Sequence, residues 1–167
     1  MIRAMKRLLI VYHSLTGGTA QMARAAGEGA RHIAGLDVQL TPAAECGAEA
    51  LLQASGYLFA SPENLAALSG IMKDFFDRTY YAVLDRIVAR PYAVMICAGS
   101  DGSNAARQIE RIATGWRLAA IAPPLIVCTQ AQTPEAILAA KQIGAADLAR
   151  CAELGATLAA GLELGIF

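Results

Sequence analysis

The chain has 167 residues, of which 56% are hydrophobic and 17% are charged, and its formal net charge is zero. This length predicts a single domain, residues 1–167, with a core of its own, and the balanced charge argues against a nucleic-acid-binding protein, which would carry a basic patch. The longest uncharged run, residues 118–134, contains Pro123 and Pro124, so it is a poor candidate for a membrane-spanning helix. We therefore expect a cytoplasmic protein that binds neither nucleic acid nor a membrane.

Strand and helix patterns alternate along the whole chain. Residues 8–13 (LLIVYH) form a short, continuous apolar run, which is typical of a parallel strand covered on both faces. In chain order, the patterns predict strand 8–13, helix 20–33, strand 37–40, helix 45–53, strand 57–60 closed by Ser61-Pro62, helix 69–80, strand 92–98, helix 103–116, a fifth strand broken into 118–121 and 125–128, and a last helical stretch from Thr133-Pro134 that Gly144 and Gly155 break or bend.

This alternation predicts an α/β fold. Five strands separated by helices indicate a doubly wound parallel sheet between two layers of helices, and right-handed crossovers leave few topologies open. Ligands of such sheets bind beyond the carboxyl ends of the strands, where the strand order reverses. The loops that follow the strands are therefore the candidate binding segments.

The loop after the first strand reads Ser14-Leu15-Thr16-Gly17-Gly18-Thr19 and leads directly into a helix. The N–H groups of a first helical turn lack partners within the helix, and they favour an anion placed before them. Glycines let the backbone approach a phosphate, and the hydroxyls add donors. The alternative is a plain glycine-containing turn in which Ser14 or Thr16 caps the helix, and the loop by itself leaves both interpretations open.

Two common nucleotide-binding motifs are absent from this loop. It lacks the Gly-Lys-Ser/Thr of a P-loop and the G-x-G-x-x-G of a dinucleotide site. The four cysteines, Cys46, Cys97, Cys128 and Cys151, form no C-x-x-C pair and no zinc-ligand spacing. We therefore predict reduced thiols and no metal site.

Three strand ends together resemble a known family. The first loop is similar to the phosphate-binding segment of flavodoxins, with its pattern Ser/Thr-x-Thr-Gly-x-Thr. Residues 60–79 (ASPENLAALSGIMKDFFDRT) resemble the second flavin loop and the following helix of the NAD(P)H-dependent FMN reductases and their quinone-reducing branch, and residues 97–112 (CAGSDGSNAARQIERI) resemble their third flavin loop. The three matches occur in the expected order and cover most of the chain.

The resemblance implies a flavodoxin-like sheet of order 2-1-3-4-5 with FMN at its carboxyl edge. The phosphate would be held by Ser14, Leu15, Thr16, Gly17, Gly18 and Thr19. The isoalloxazine ring would lie along Ser61, Pro62, Glu63, Asn64 and Leu65. Its pyrimidine side would meet the backbone of Ala98, Gly99, Ser100, Asp101 and Gly102.

One segment departs from the family pattern. Relatives usually place an aromatic or bulky residue over the flavin, whereas this chain has Leu65-Ala66-Ala67-Leu68. The flavin then stacks on Leu65, is covered by a partner subunit of a homodimer or homotetramer, or is held weakly.

The function implied by the resemblance is an FMN-binding oxidoreductase that passes electrons from NAD(P)H to a quinone or a similar small acceptor. No catalytic side chain is predicted, because the cofactor carries the chemistry. One alternative is a non-enzymatic flavodoxin, which the matching counts of fourteen acidic and fourteen basic residues disfavour. Another is a flavin-free interaction module of the same fold. A receiver domain would need aspartates where this chain has His13-Ser14 and Ser61-Pro62.

Overall fold

The computed structural model describes residues 4–167. It contains a central sheet with helices on both faces. The first three residues of the predicted domain, 1–167, lie outside the described residues. The strands are β1 (Lys6–Tyr12), β2 (Leu36–Pro42), β3 (Gly56–Asn64), β4 (Ala67–Leu68), β5 (Pro91–Ala98), β6 (Ala119–Ala120) and β7 (Leu125–Cys128). The helices are α1 (Gly18–Arg31), α2 (Ala48–Gln53), α3 (Gly70–Val83), α4 (Ser103–Gly115), α5 (Pro134–Leu138) and α6 (Ala145–Leu164).

The predicted strand order is confirmed. The strands follow the order β2-β1-β3-β5, all parallel, and both β6 and β7 then pair in parallel with β5. Because β6 and β7 are the two halves of one strand interrupted around Pro123-Pro124, this order corresponds to 2-1-3-4-5. The short β4, which forms an antiparallel hairpin with β3, was not predicted.

Alternate residues of the central strands supply two apolar cores. On one face, Leu8 and Ile10 of β1 pack with buried residues of α1 and α6. On the other face, Leu9 and Val11 pack with residues of α3 and α4. The continuous apolar run of β1 is therefore explained by burial on both sides.

An aromatic cluster fills the second core. The Phe59 ring lies 5.2 to 6.4 Å, between centroids, from the rings of Phe75, Phe76, Tyr92 and Trp116. Trp116 is completely buried, and its indole N–H donates a hydrogen bond to the carbonyl oxygen of Tyr80. The cluster fixes the positions of α3 and α4 against β3.

The last helical stretch is interrupted before Gly144, as predicted, but it is not broken at Gly155. Thr133 does cap α5, since its hydroxyl accepts the N–H of Ala136, but α5 ends at Leu138 and α6 begins only after Gly144. Gly155 does not break α6. It lies where α6 crosses α1 closely. No helix within residues 4–167 combines the length and apolar character that crossing a membrane requires.

Several predicted boundaries also shift. Strand β2 is longer than residues 37–40, and α3 continues past residue 80 to Val83. Helix α2 begins at Ala48 rather than at residue 45, because the N–H groups of Glu45 and Cys46 bond to the carbonyl of Pro42 in a turn.

Candidate functional site

A pocket at the carboxyl edge of the sheet lies between the end of β3 and the loops that follow β1, β5 and β7. It is placed at the point where the strand order reverses between β1 and β3, as expected for ligand sites of doubly wound sheets. Its walls are formed by Ser14, Leu15, Thr16, Gly18, Thr19, Pro62, Glu63, Asn64, Cys97, Ala98, Gly99, Thr129, Ile137 and Lys141.

The loop after β1 leaves the start of α1 open. Gly17 is the N-cap residue and has a φ of 93°, a left-handed conformation that glycine adopts without steric cost. No side chain caps the helix, so neither Ser14 nor Thr16 has the capping role of the plain-turn alternative. No acidic residue stands in the first turn, so the positive end of the helix dipole is uncompensated.

The backbone donors of this loop have no backbone acceptors among residues 4–167. No backbone carbonyl of residues 4–167 accepts a hydrogen bond from the N–H groups of residues 14–20. The Ser14 hydroxyl oxygen is the one buried side-chain nitrogen or oxygen among residues 4–167 without a hydrogen-bond partner. Leaving a buried hydroxyl unpaired costs about 1–3 kcal/mol. A bound anionic group that accepts several hydrogen bonds would remove this cost, so these donors fit such a ligand.

Thr19 and Cys97 form the floor below the loop. Thr19 is almost completely buried, and its side chain is hydrogen bonded to the Cys97 thiol. Burial raises the pKa of Cys97, and the nearby Lys141 charge and the Thr19 bond only partly oppose this effect. Cys97 is therefore a neutral thiol at neutral pH, packed against the backbone of Gly18.

The third strand does not close at Ser61-Pro62, and this prediction was wrong. β3 continues to Asn64, with Ser61 opposite Ile96 and Pro62 opposite Cys97 of β5. β1 has already ended, since its last partner on β3 is Ala60. A proline has no N–H to donate to a neighbouring strand, but at Ser61 and Pro62 the strand pairs only with β5, so Pro62 is tolerated as on an edge strand.

The hairpin between β3 and β4 turns through Leu65 and Ala66, whose φ angles are 50° and 61°. Its ends are fixed to α4. The Asn104 side-chain amide donates to the carbonyl of Ala66 (2.6 Å), and the Gln108 side-chain oxygen accepts the N–H of Leu68 (2.9 Å). Leu65 is fully exposed at the tip. The hairpin is thus held rigidly beside the pocket, with its apolar tip directed away from the core.

Replacing Ala66 with glycine is expected to stabilise the protein by about 0.5–1 kcal/mol. A left-handed conformation costs an L-residue roughly 1–2 kcal/mol, and the flexibility of glycine in the unfolded chain offsets part of this gain. Urea unfolding followed by circular dichroism measures the difference. Ala67→Gly, one residue along in β4, is the control and should destabilise the protein. If Ala66→Gly is less stable than wild type, the left-handed conformation of Ala66 does not strain the backbone.

Glu63 bridges two of the predicted flavin loops. Its carboxylate accepts the N–H of Gly102 at 2.7 Å, and Gly102 is the left-handed N-cap of α4, which no side chain of its own segment caps. In the same turn the Asp101 carboxylate accepts the N–H of Ser103. The loop after β5 is therefore tied to the end of β3 by an anion at a helix start.

A buried polar network joins the base of the first loop to the hairpin. His13 Nδ1 lies 2.9 Å from the Ser69 hydroxyl oxygen, which also accepts the N–H of Met72 and so caps α3. Ser61 accepts the N–H of Ser69. Burial lowers the pKa of His13, so the ring is neutral at neutral pH. His13 thus links the base of the first loop to Ser69 through a hydrogen bond.

A comparison with family profiles decides the family. Residues 35–133, more than half of the chain, match the family described as NADPH-dependent FMN reductase. The chain belongs to this FMN reductase family. The matched segment contains the second and third loops of the site, and the first loop lies before it. The resemblance seen at the strand ends is thereby confirmed.

Two curated relatives match this FMN reductase family member over part of their length. A protein named flavodoxin from Aquifex aeolicus is 40% identical over 73 residues, covering 44% of this chain and 40% of its own. An NAD(P)H dehydrogenase (quinone) from Acidithiobacillus ferrooxidans is 34% identical over 95 residues, covering 45% of this chain and 48% of its own. The chain therefore spans less than half the length of these relatives.

Solved structures show the same fold. A flavodoxin from the domain Archaea has a TM-score of 0.76 at 21% identity, covering 94% of this chain and 99% of its own. A flavodoxin, WrbA-like protein from Agrobacterium tumefaciens has a TM-score of 0.74 at 17% identity, covering 95% and 98%. At these identities the likeness establishes the flavodoxin-like fold of this family member and no more.

Of the sixteen site residues predicted for this FMN reductase family member, ten line the pocket directly. The others stand beside it. Gly17, Ser61 and Gly102 shape the backbone or the hydrogen-bond network, while Leu65, Ser100 and Asp101 are exposed at the loop tips. Prediction from sequence missed Cys97, Thr129, Ile137 and Lys141 as lining residues. Strand-end position could have indicated Thr129, which directly follows β7; Ile137 and Lys141 carry no local signal.

Proposed function

We propose that this protein binds FMN in the carboxyl-edge pocket and catalyses electron transfer from NAD(P)H to a quinone or a similar small acceptor. The observation that carries the proposal is the run of N–H groups at residues 14–20 that have no backbone acceptor among residues 4–167, together with the unpartnered Ser14 hydroxyl. Membership of the FMN reductase family supports the same cofactor and the same source of electrons.

The residues present suit a flavin monophosphate. The first loop offers its amides and hydroxyls to the dianionic phosphate, and each hydrogen bond to a charged acceptor contributes about 1.5–3 kcal/mol. The segments Pro62–Asn64 and Ala98–Gly99 flank the remaining space. Bound there, FMN supplies a ring that accepts hydride from a nicotinamide and passes electrons on.

The protein's own part is to hold and expose the ring. Asn104 and Gln108 fix the hairpin to α4, and Glu63 of β3 fixes the loop after β5 by accepting the N–H of Gly102. Leu65 is fully exposed rather than folded over the pocket. The open edge leaves access for a nicotinamide and then for the acceptor. No acid–base side chain is needed for hydride transfer, because the reacting groups need only be positioned.

A spectroscopic experiment tests the proposal. The protein is incubated with FMN and desalted, and its absorbance is recorded. The loaded protein is then mixed without oxygen with NADH or NADPH in a stopped-flow instrument, and a soluble benzoquinone is added. We expect the flavin bands to be retained, to bleach with a reduced nicotinamide, and to return with the quinone. If flavin is retained but neither nucleotide bleaches it, the enzymatic function is contradicted and an electron carrier is favoured. If no flavin is bound, both functions are contradicted.

Replacing Ser14 with alanine is expected to weaken FMN binding by roughly tenfold to a hundredfold, the value of one hydrogen bond to a charged acceptor. The apo-protein should be as stable as wild type or more stable, because the variant removes a buried hydroxyl that has no partner. Fluorescence titration with FMN and urea unfolding of the apo-protein measure the two effects. Ser55→Ala, at the opposite end of the sheet, is the control. Lower apo-stability with unchanged FMN affinity would show that Ser14 is structural.

A further inference from the structure

A strap of residues 139–144, which joins α5 to α6, lies against the first loop of the site. The N–H of Lys141 donates to the carbonyl of Thr16 at 2.8 Å. The Gln21 side chain of α1 ties the strap from the other side, since its amide donates to the carbonyl of Lys141 (2.8 Å) and its oxygen accepts the N–H of Ile143 (3.0 Å). The position of Lys141 beside the loop is therefore held on both sides of its backbone.

The Lys141 side chain is a cation at the wall of the pocket. Its ammonium donates to the carbonyl oxygens of Ala136, Ile137 and Ala139 at 2.6 to 2.8 Å. It makes no salt bridge with an acidic side chain of residues 4–167. Its charge is thus balanced only by the neutral carbonyls at the end of α5.

This charge lies within reach of the first helical turn of α1. The Cβ of Lys141 is 3.3 Å from the position that a Cβ on Gly18 would take, and the flexible four-carbon stem of lysine extends from there. Lys141 also acts electrostatically on the Cys97 thiol below the loop. The pocket wall therefore carries a positive charge that the loop sequence itself does not contain.

We propose that Lys141 is the cationic phosphate-binding residue of this site and that it selects phosphorylated over unphosphorylated flavin, an inference that rests on the proposed function. The carbonyls of α5 hold the ammonium at the pocket wall before binding. A dianionic phosphate is a stronger hydrogen-bond acceptor than a neutral carbonyl, so at least one N–H of the ammonium turns from α5 to the phosphate when it enters. Lys141 also draws the anion in through its charge.

The test compares the dissociation constants of FMN and riboflavin for wild type, Lys141→Met and Lys141→Arg. Lys141→Met should weaken FMN binding by roughly tenfold to a hundredfold while riboflavin binding changes little, so the preference for FMN falls. Lys141→Arg should retain most of that preference. FMN binding by wild type should weaken more with added salt than binding by Lys141→Met. Lys73→Met is the control. It removes a lysine charge from the exposed face of α3 and should leave the preference for FMN unchanged.

The ratio of the two constants separates selection from structure. If Lys141 only caps α5, Lys141→Met weakens FMN and riboflavin equally, the ratio stays at the wild-type value, and the inference is overturned. If wild type binds neither flavin, the proposed function itself fails. Wild-type binding of FMN with an unchanged ratio in Lys141→Met would overturn the role of Lys141 alone.

Discussion

Replacing Gly155 with alanine is expected to lower the free energy of unfolding by about 3 kcal/mol, at the upper end of the range for overpacked interiors. Gly155 lies on α6 where this helix crosses α1, and a Cβ at this position would overlap the carbonyl group of Ala26. Backbone atoms cannot rotate away as a side chain does. The two helices must therefore separate, and contacts along their whole buried interface weaken.

The crossing is reciprocal, which provides a second variant. A Cβ on Gly29 of α1 would overlap the carbonyl group of Ala152 of α6 in the same way. Gly29→Ala should therefore destabilise by a similar amount. The double variant should lose less than the sum of the two single losses, because helices already forced apart by one methyl group accommodate the second more easily.

Urea unfolding followed by far-UV circular dichroism measures these losses. Gly70→Ala is the matched control, since Gly70 is the first residue of α3 and nothing lies within 4 Å of the position of its Cβ. This variant should be neutral or slightly more stable, because alanine favours the helix. A loss below about 1 kcal/mol for both Gly29→Ala and Gly155→Ala would mean that the close crossing does not contribute to stability as described.

Replacing Gly18 with alanine is expected to reduce FMN affinity by roughly tenfold or more, the loss of at least one hydrogen bond to a charged group. Gly18 is the first residue of α1, and its added Cβ would lie 2.6 Å from the Cys97 sulfur and 3.3 Å from the Cβ of Lys141. The loop must move away from this floor. Its free N–H groups then no longer converge on one phosphate.

A second substitution tests this explanation. In Gly18→Ala/Cys97→Ala the sulfur that meets the new methyl group is absent, so much of the FMN affinity should return. Cys97→Ala alone should bind FMN nearly as well as wild type. Fluorescence titration of the four proteins completes the double-mutant cycle. If the double variant binds FMN no better than Gly18→Ala, the loss has a cause other than the contact with Cys97.

The first loop of the site was accessible from sequence because its chemistry is local. Gly17 is needed at a positive φ, Gly18 is needed where the floor leaves no space, and threonines flank the two glycines. These properties belong to six consecutive residues. The placement of the loops after the third and fourth strands followed from the parallel sheet order, which the alternation of strands and helices implied.

The hairpin beside the pocket was not accessible in the same way. Ser61-Pro62 looks like a strand terminator, and Leu65-Ala66 lacks the Asn-Gly pattern that favours a two-residue turn with both φ angles positive. What allows the strand to continue is the end of β1 opposite Ala60. What holds the turn is its anchoring by Asn104 and Gln108 of α4. Both causes lie far away in the sequence.

The sequence alone determined the order of strands, the two-sided burial of the sheet and the glycine-containing loop before α1, because each depends on residues close together in the chain or on a periodic pattern. Only the tertiary structure decided which distant groups complete the pocket: Cys97 as its floor, the rigid hairpin at its side and Lys141 at its wall. Lys141 stands 122 residues after Thr19 along the chain, and no local pattern marks it. It reaches the loop because the strap after α5 is bonded to Thr16 and Gln21, and such long-range bonds follow from packing rather than from propensity.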